Sequence, residues 1–359
     1  MKKFDFVVGN PPYQEETISN PKGNNQKRTK NIFPLFQEQA DKISNISSVL
    51  IYPGARWIHR SGKGTSTFGL EQINDSKLST LIYYPDANEV FEQVQIFDGI
   101  SIVSKVYSKK DKGFKYIYKN KNESLSIFSE NPGDNLLPLY PKDNIINNKI
   151  EQFVKNNNLR FINDRVLPQK FFGIESNFIE DNLDKSRPLS GNENTINYDT
   201  EIKLFANDKS GKAGRTKWFI VNKNLIEKNK EFIKKWKVVV SSANAGGQKR
   251  DNQIEIIDNK SAFARSRVGL GIFETEKEAI NFFNYCNSYI IRYCFLMTDE
   301  NLSSLAKRVP DILDYTSKNQ FVDFDKNIDK QLKKLMFLSS DEMEYIVTRV
   351  DNIRSSNNE

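Results

Sequence analysis

The chain is poor in the residues on which most metal and nucleophile chemistry is built. It has 359 residues but a single histidine, His59, and two cysteines, Cys286 and Cys294. One histidine leaves no Ser-His-Asp triad, and no histidine-based zinc site unless His59 itself takes part. His59 stands among Arg56, Arg60 and Lys63, which suits a loop near phosphate better than catalysis. The two cysteines fall in one apolar helical stretch. They give no disulfide framework and no metal spacing, and read as buried core thiols in a reducing cytosol. No run approaches the roughly 18 apolar residues of a membrane span. The opening MKKFDFVVGN lacks an apolar region of signal-peptide length, so a cytoplasmic protein with no membrane partner is expected.

What is present is a basic, moderately apolar chain. Its formal net charge is +7, a balance that suits a polyanionic partner but that solvated lysine-rich faces also produce. The length exceeds what a single core usually fills, so two domains are expected.

Phe4-Asp5-Phe6-Val7-Val8-Gly9 is a short apolar run ended by Asn10-Pro11-Pro12, which reads as a buried strand and a stiff turn. Residues 14–30 are polar and read as a flexible loop. Ile32 to Ile43 has helical periodicity, Ser48 to Tyr52 is a second buried strand, Phe68 to Asp75 a short helix and Leu78 to Tyr84 a third strand. Val94 to Tyr107 and Phe114 to Tyr118 suggest a hairpin turned at Lys109 to Gly113. This order predicts a mostly parallel α/β sheet over residues 1–118, with one antiparallel strand. Residues 119–147 read as a linker or decorated connection, and residues 148–359 as an α+β domain with long basic loops. In that domain Leu225 to Trp236 reads as a helix, Lys237 to Val240 as a strand, Glu276 to Phe295 as one long helix, and Ser340 to Val350 as a closing helix.

Asn10-Pro11-Pro12-Tyr13 carries the chemistry. An exocyclic amino group such as that of adenine is a poor nucleophile, because its lone pair is delocalised into the ring. Methylating it requires acceptors that hold its N–H groups while the nitrogen pyramidalises. An Asn oxygen and a backbone carbonyl fixed by adjacent prolines supply two. A tyrosine just after them can stack on a base that has left the duplex. As bare tetrapeptides such sequences are ordinary turns. The hydrophobic, Asp-containing strand and glycine directly before this one make it far more specific.

With those residues in view, positions 4–107 resemble the C-terminal half of the catalytic domain of adenine-specific DNA methyltransferases, especially type II restriction-modification enzymes that fuse methylase and specificity regions. Phe4 to Gln14 is similar to that family's catalytic motif, Ile32 to Phe36 to its next helix, and Val49 to Trp57 to the following strand and Arg-Trp turn. Asp86 to Phe91 with Val94 to Ser101 resembles the approach to its final hairpin. A looser resemblance continues through Pro168 to Ile174, similar to the opening of a target-recognition domain, and Leu338 to Ile346, similar to its closing helix.

The resemblance implies half of a doubly wound, Rossmann-like methyltransferase sheet followed by a target-recognition domain. It implies S-adenosylmethionine as methyl donor and double-stranded DNA as partner, with Asn10, Pro11, Pro12 and Tyr13 catalytic and Asn10 also beside the cofactor. Two departures stand out. The glycine-rich cofactor motif, which this family places ahead of the catalytic motif, is missing; Val268-Gly269-Leu270-Gly271 has the glycines but reads as a turn between strands. The aromatic expected in the hairpin is also absent from Gly99 to Val103, although Phe97 is near. The expectation is that the first strand is left as an edge and needs a second, cofactor-binding methyltransferase subunit, or that the chain is a truncated remnant. Segments 209–217 and 246–250 are the candidate DNA contacts, through Lys212, Arg215, Asn244, Gln248, Lys249 and Arg250. The alternative is a non-catalytic DNA-recognition subunit. A nuclease is disfavoured, because Glu274 to Lys277 reads as a helix start rather than a metal constellation.

Overall fold

The structure is a computed structural model. It describes residues 3–17, 28–58, 65–92, 96, 98–134, 137–189, 191, 193–208, 215–242, 254–297 and 305–355. The chain divides into two compact units, residues 1–145 and 146–359.

The first unit is built on strands β1 (Phe4–Gly9), β2 (Gln14–Thr17), β3 (Arg28–Asn31), β4 (Ser44–Pro53), β5 (Leu78–Tyr84), β6 (Ile100–Val106), β7 (Phe114–Asn120) and β8 (Glu123–Ser129), with helices α1 (Phe33–Ile43) and α2 (Ser66–Asn74). Six of the strands form one sheet in the order β1-β4-β6-β5-β7-β8. The sheet is mixed rather than mostly parallel. β1 runs parallel to β4 and β5 to β7, whereas β6 is antiparallel to both its neighbours and β8 to β7.

The expected hairpin between Val94 to Tyr107 and Phe114 to Tyr118 does not form, because β5 lies between them. Lys109 shows how the chain crosses. Its ammonium donates to the carbonyls of Ser76, just before β5, and of Asp111 and Gly113, which holds the connection across the start of β5. The true hairpin is β7–β8, whose turn is closed by the Asn120 side chain accepting from the amides of Asn122 and Glu123. The segment 119–147 therefore contains β8 and the start of helix α3 (Pro141–Asn156). The stretch 14–30, expected as loop, contributes the paired strands β2 and β3.

One face of the sheet is packed. Leu50, Val103, Leu81 and Tyr116 stand side by side across four strands and are buried against Phe33 and Ala40 of α1 and Phe68 and Ile73 of α2. Tyr52 meets Phe33, Phe68 and Trp57 edge-on or tilted. A single ammonium pins both helices to the sheet. Lys105 on β6 is fully buried and bonds Asp41 of α1 at 3.1 Å and Asp75, just after α2, at 2.7 Å. Burial alone would raise the Asp75 carboxyl, but hydrogen bonds from Lys105 and the Lys77 amide outweigh it and hold it below its usual value.

The other face is apolar too, and solvent reaches it. Along it run Ile51, Ile102, Ile82 and Ile117 in register, all half-buried, with Val8 beside Val49. β1 itself, expected to be buried, is an exposed edge strand, with Phe4 at 51%, Phe6 at 65% and Val8 at 77% exposure. The physical reason is that β4 is its one neighbour in this sheet.

The second unit holds β9 (Arg160–Phe161), α4 (Phe178–Asp181), β10 (Ser186–Pro188), β11 (Glu201–Asp208), β12 (Arg215–Asn222), β13 (Trp236–Ser241), β14 (Glu255–Ile257), β15 (Ser261–Phe263), β16 (Arg267–Phe273), α5 (Glu276–Asn287), α6 (Tyr289–Leu296), β17 (Pro310–Asp311), α7 (Ile328–Leu335) and α8 (Ser340–Ser355). Its sheets are β10-β12-β11-β15, β14-β13-β16 and β17-β9. The single long helix expected over Glu276 to Phe295 is broken at Ser288, whose backbone is extended and whose hydroxyl donates to the Tyr285 carbonyl. Leu225 to Trp236 forms no α-helix: it holds the last residue of one 3-10 turn (Lys223–Leu225) and a second (Lys230–Lys234), since Asn229 between them adopts a left-handed conformation and its side-chain amide donates to the Phe171 carbonyl. Val268 to Gly271 lies inside β16, not in a turn. Cys286 and Cys294 are free thiols in the core, and burial pushes both thiol pKa values up.

Lys237 on β13 is completely buried, its ammonium bonding the Phe232, Ile233 and Ser261 carbonyls, and among the described residues it makes no ion pair, although the Asp258 carboxylate acts on it from nearby. Burial pushes its pKa down to about 7.

Two predictions follow from these buried lysines. Replacing Lys105 by Met strands two carboxylates beside an apolar side chain and should cost about 3 kcal/mol in urea unfolding; a loss within experimental error refutes the role given to Lys105. For Lys237, the folded chain has shed a proton that an unfolded lysine keeps up to about pH 10. The contribution to stability therefore rises with pH across that window. The stability of the wild type relative to Lys237→Met should climb from pH 7 to pH 10, and a flat difference would contradict the assignment.

Candidate active-site edge

Asn10 to Tyr13 leaves the carboxyl end of β1. Gly9 pairs with Leu50, so the motif emerges level with the end of β4. At the same edge β4 runs into Pro53-Gly54, β5 ends at Tyr84, and β6 begins at Ile100 opposite Pro53. The carboxyl ends of parallel strands, where ligands bind in open α/β sheets, thus bring together Asn10, the Pro53–Trp57 turn and Tyr84.

The edge is rigidly built. Gly54 donates to the Gly99 carbonyl at 2.7 Å, and both glycines have positive φ. A Cβ on Gly54 would stand 2.4 Å from the Asp98 Cβ, and one on Gly99 2.1 Å from the Tyr84 carbonyl oxygen, so neither turn tolerates a side chain. Trp57 is buried and its indole donates to the Ser101 hydroxyl at 2.7 Å. Arg56 pairs with Asp98 at 2.6 Å. Asp98 and the Gly54–Gly99 contact were missed in the sequence; the Pro-Gly and Asp-Gly dipeptides signal the two turns but not that they meet.

Within the motif, Asn10 and Pro12 are exposed and Pro11 is buried. The Asn10 side chain is therefore open to a ligand, while Pro11 anchors the backbone behind it. The Tyr13 carbonyl accepts from the Ile32 amide at 3.0 Å, and Gln14 donates to Asn31 at 3.0 Å, so the motif is closed by the β2–β3 pair and delivered to the start of α1. Tyr13 is half-buried against the core of the first unit. Among the described residues its buried hydroxyl has no hydrogen-bond partner, and burial raises its pKa.

Among the described residues no group of His, Cys, Asp and Glu could hold a metal ion, and no helix is long and apolar enough to cross a membrane. No described segment offers a glycine-rich cradle for a nucleotide-like cofactor. Gly269 and Gly271, the nearest to such a motif in sequence, face Leu167 and Phe273, where added Cβ atoms would stand 2.4 Å and 3.0 Å away. Their lack of side chains lets the chain pack, and the described residues do not fit S-adenosylmethionine.

Of the expected DNA contacts, Arg215 opens β12, its backbone opposite Asp208. Lys212, Asn244, Gln248, Lys249 and Arg250 lie outside the described residues, as do His59, Arg60, Lys63 and Phe97.

Residues 1–91 match the model of the Eco57I restriction-modification methylase family. The match takes in Asn10 to Tyr13, β4 with its Arg-Trp turn, and β5. The chain is also similar to solved structures. One is the type IIG restriction endonuclease BpuSI, at 11% identity and a TM-score of 0.37, covering 98% of this chain and 53% of that one. A second is the type IIL restriction-modification enzyme MmeI in complex with DNA, at 7% identity and a TM-score of 0.33, covering 98% and 57%. A third is a modification subunit assigned to a type I restriction enzyme from Vibrio vulnificus YJ016, at 12% identity and a TM-score of 0.25, covering 34% and 27%. The chain thus spans only part of the length of each. No curated protein matches it.

The unpartnered Tyr13 hydroxyl gives a direct check on this geometry. Removing a buried polar group that has no partner relieves its desolvation cost. Tyr13→Phe should therefore leave stability unchanged or slightly raised, whereas Tyr13→Ala should cost about 2 kcal/mol or more in unfolding. A clear loss in Tyr13→Phe would mean that the hydroxyl is bonded.

Proposed function

We propose that the chain is the base-holding and DNA-recognition part of an adenine-specific DNA methyltransferase of a restriction-modification system. The observation that carries this is Asn10, exposed at the carboxyl end of β1 on a backbone anchored by Pro11, within the region matching the methylase family. The Asn10 amide oxygen and a proline-fixed carbonyl accept the two N–H bonds of a flipped adenine. They thereby favour the pyramidal nitrogen that can attack a methyl group. Tyr13 offers the exposed part of its ring to the base. The second unit supplies double-stranded DNA recognition, with Lys212, Arg215, Asn244, Gln248, Lys249 and Arg250 as contacts.

S-adenosylmethionine is brought by a cofactor-binding half, on a partner subunit or on further sequence of this chain. The free edge of β1 and the isoleucine face of the sheet are the surfaces such a half would cover. Parallel strands are normally covered on both faces, and a contiguous apolar patch in contact with water marks an interaction surface. A non-catalytic DNA-recognition subunit is the second reading; the described residues do not fit the methyl donor, which is what favours it.

The test is methyl transfer from labelled S-adenosylmethionine to duplex DNA, with and without a cofactor-binding half. The described chain alone should bind the methyl donor poorly, and micromolar affinity in calorimetry would refute the division of labour. In the completed enzyme Asn10→Ala should lower turnover at least about 100-fold while leaving DNA affinity within about twofold. Undiminished turnover in that variant, or methyl label on cytosine, would refute the reading.

A further inference from the structure

At the end of α7 the chain does something costly for no visible structural return. Phe337 follows the helix in a left-handed conformation, φ 52°, at the position where glycine is ordinarily favoured. The terminus closes in the usual way, with the Leu338 amide bonding the Lys333 carbonyl at 2.9 Å and the Phe337 amide the Lys334 carbonyl at 3.3 Å. A glycine would make the same bonds without the steric cost of a Cβ. The phenylalanine ring is not used for packing either, since Phe337 is 85% exposed, the highest value among the exposed large hydrophobic residues described. The Lys149 ammonium donates to the Phe337 carbonyl at 3.1 Å and fixes the backbone that presents the ring.

The surroundings of this ring are cationic. Lys330, Lys333 and Lys334 line a hollow of about 360 Å³ together with Phe337, Leu338 and Ser339. Among the described residues none of these lysines is paired with a carboxylate; Lys333 donates only to the Ser340 hydroxyl, at 3.1 Å. Three of the neighbouring acids are engaged elsewhere. Asp329 accepts from the amides of Tyr289 and Ile290 at the start of α6, Glu342 pairs with Lys149, and Asp323 with Lys326. Lysines in a last helical turn also complement the helix dipole, but that role explains neither the exposed ring nor the hollow.

We infer that Lys330, Lys333, Lys334 and Phe337 form a duplex-DNA backbone contact in the second unit. The three ammonium groups would neutralise phosphates while Phe337 packs on the apolar face of a deoxyribose between them. This rests on the DNA-binding reading of the second unit, and adds to it a non-specific positioning surface distinct from segments 209–217 and 246–250. Contacts of this kind fix register on the duplex and carry no sequence information.

The experiment is a fluorescence-anisotropy titration of a labelled duplex with the full chain over a range of salt concentrations. Each lost phosphate contact should reduce the log–log salt slope by about 0.9. The variant Lys330→Gln/Lys333→Gln/Lys334→Gln should therefore show a slope smaller by about 2.7 and at least tenfold weaker binding at low salt. Phe337→Gly separates function from folding. It should raise the melting temperature, because the left-handed strain is relieved, yet weaken DNA binding severalfold with the salt slope unchanged. A wild-type chain that binds DNA, with a triple variant of equal affinity and slope, overturns this contact and leaves the wider DNA-binding reading standing. A wild-type chain with no duplex affinity overturns both. Loss in the triple variant of binding to polyglutamate, with duplex affinity intact, would assign the hollow to an acidic protein segment and overturn the proposal.

Discussion

A β-sheet that is apolar on both faces has to be covered on both, and the first unit covers only one. On the packed side, Leu50, Val103, Leu81 and Tyr116 make a continuous row under α1 and α2. On the other, Ile51, Ile102, Ile82 and Ile117 make an equally continuous row that remains half-exposed. The edge strand β1 adds Phe4, Phe6 and Val8 to the uncovered side. At about 25 cal/mol per Å² of apolar surface, a face of this kind represents a substantial driving force for association. The uncovered face and the position of the motif are one fact seen at two scales, and under the proposed reading that face is where a further half would sit.

The covered side is tied down in an unusual manner. Instead of relying on apolar contacts alone, it inserts a charged Lys105 between α1 and the end of α2. Its ammonium meets two carboxylates, one of which, Asp41, also accepts from the Tyr107 hydroxyl and the Gln37 amide. Buried ion pairs are poor sources of net stability but discriminating ones, because a misplaced helix would leave a charge unpaired. Lys105 thus selects one arrangement of α1 and α2. That arrangement sets the entry to α1, against which the Tyr13 carbonyl is anchored through Ile32.

Local pattern in the sequence was sufficient for the main elements of the first unit, missed others, and was insufficient for their pairing. The strand at Phe4 to Gly9, the helix after Ile32 and the strands at Ser48 to Tyr52 and Leu78 to Tyr84 all have clear periodicity, and all form. The hairpin assignment failed because adjacency in sequence is a weak guide once a third strand can slip between. Nothing in the composition of Lys109 to Gly113 announces that Lys109 will cap the Ser76 carbonyl. The strand β8 was hidden by its polar half: Ser124 and Ser126 make the segment look like a linker, while Leu125 and Ile127 alternate on the inner face. The helix break at Ser288 was illegible because Tyr289 to Leu296 continues the apolar stretch without a proline or glycine. The motif Asn10 to Tyr13 stands out locally because the chemistry proposed for it requires particular residue types in a fixed order. Asp98 and the Gly54–Gly99 contact depend on two distant turns meeting, which no local pattern encodes.

Placing the motif on an edge strand has a consequence for mechanism under the proposed reading. Acceptors that stabilise a developing charge or a distorted amino group are effective only when they are held in place beforehand. β1 is held by β4 on one side and is open on the other, and Asn10 is exposed at its end. A cofactor-binding half that pairs with β1 would therefore do two things in a single step. It would bring the methyl donor, and it would remove the remaining freedom of the strand that positions Asn10. The free energy of covering Phe6, Val8 and the isoleucine row would then be spent partly on fixing the base-holding geometry. On that reading, assembly and catalytic competence would be linked through one strand, and the chain would stay idle until that strand acquires its second neighbour.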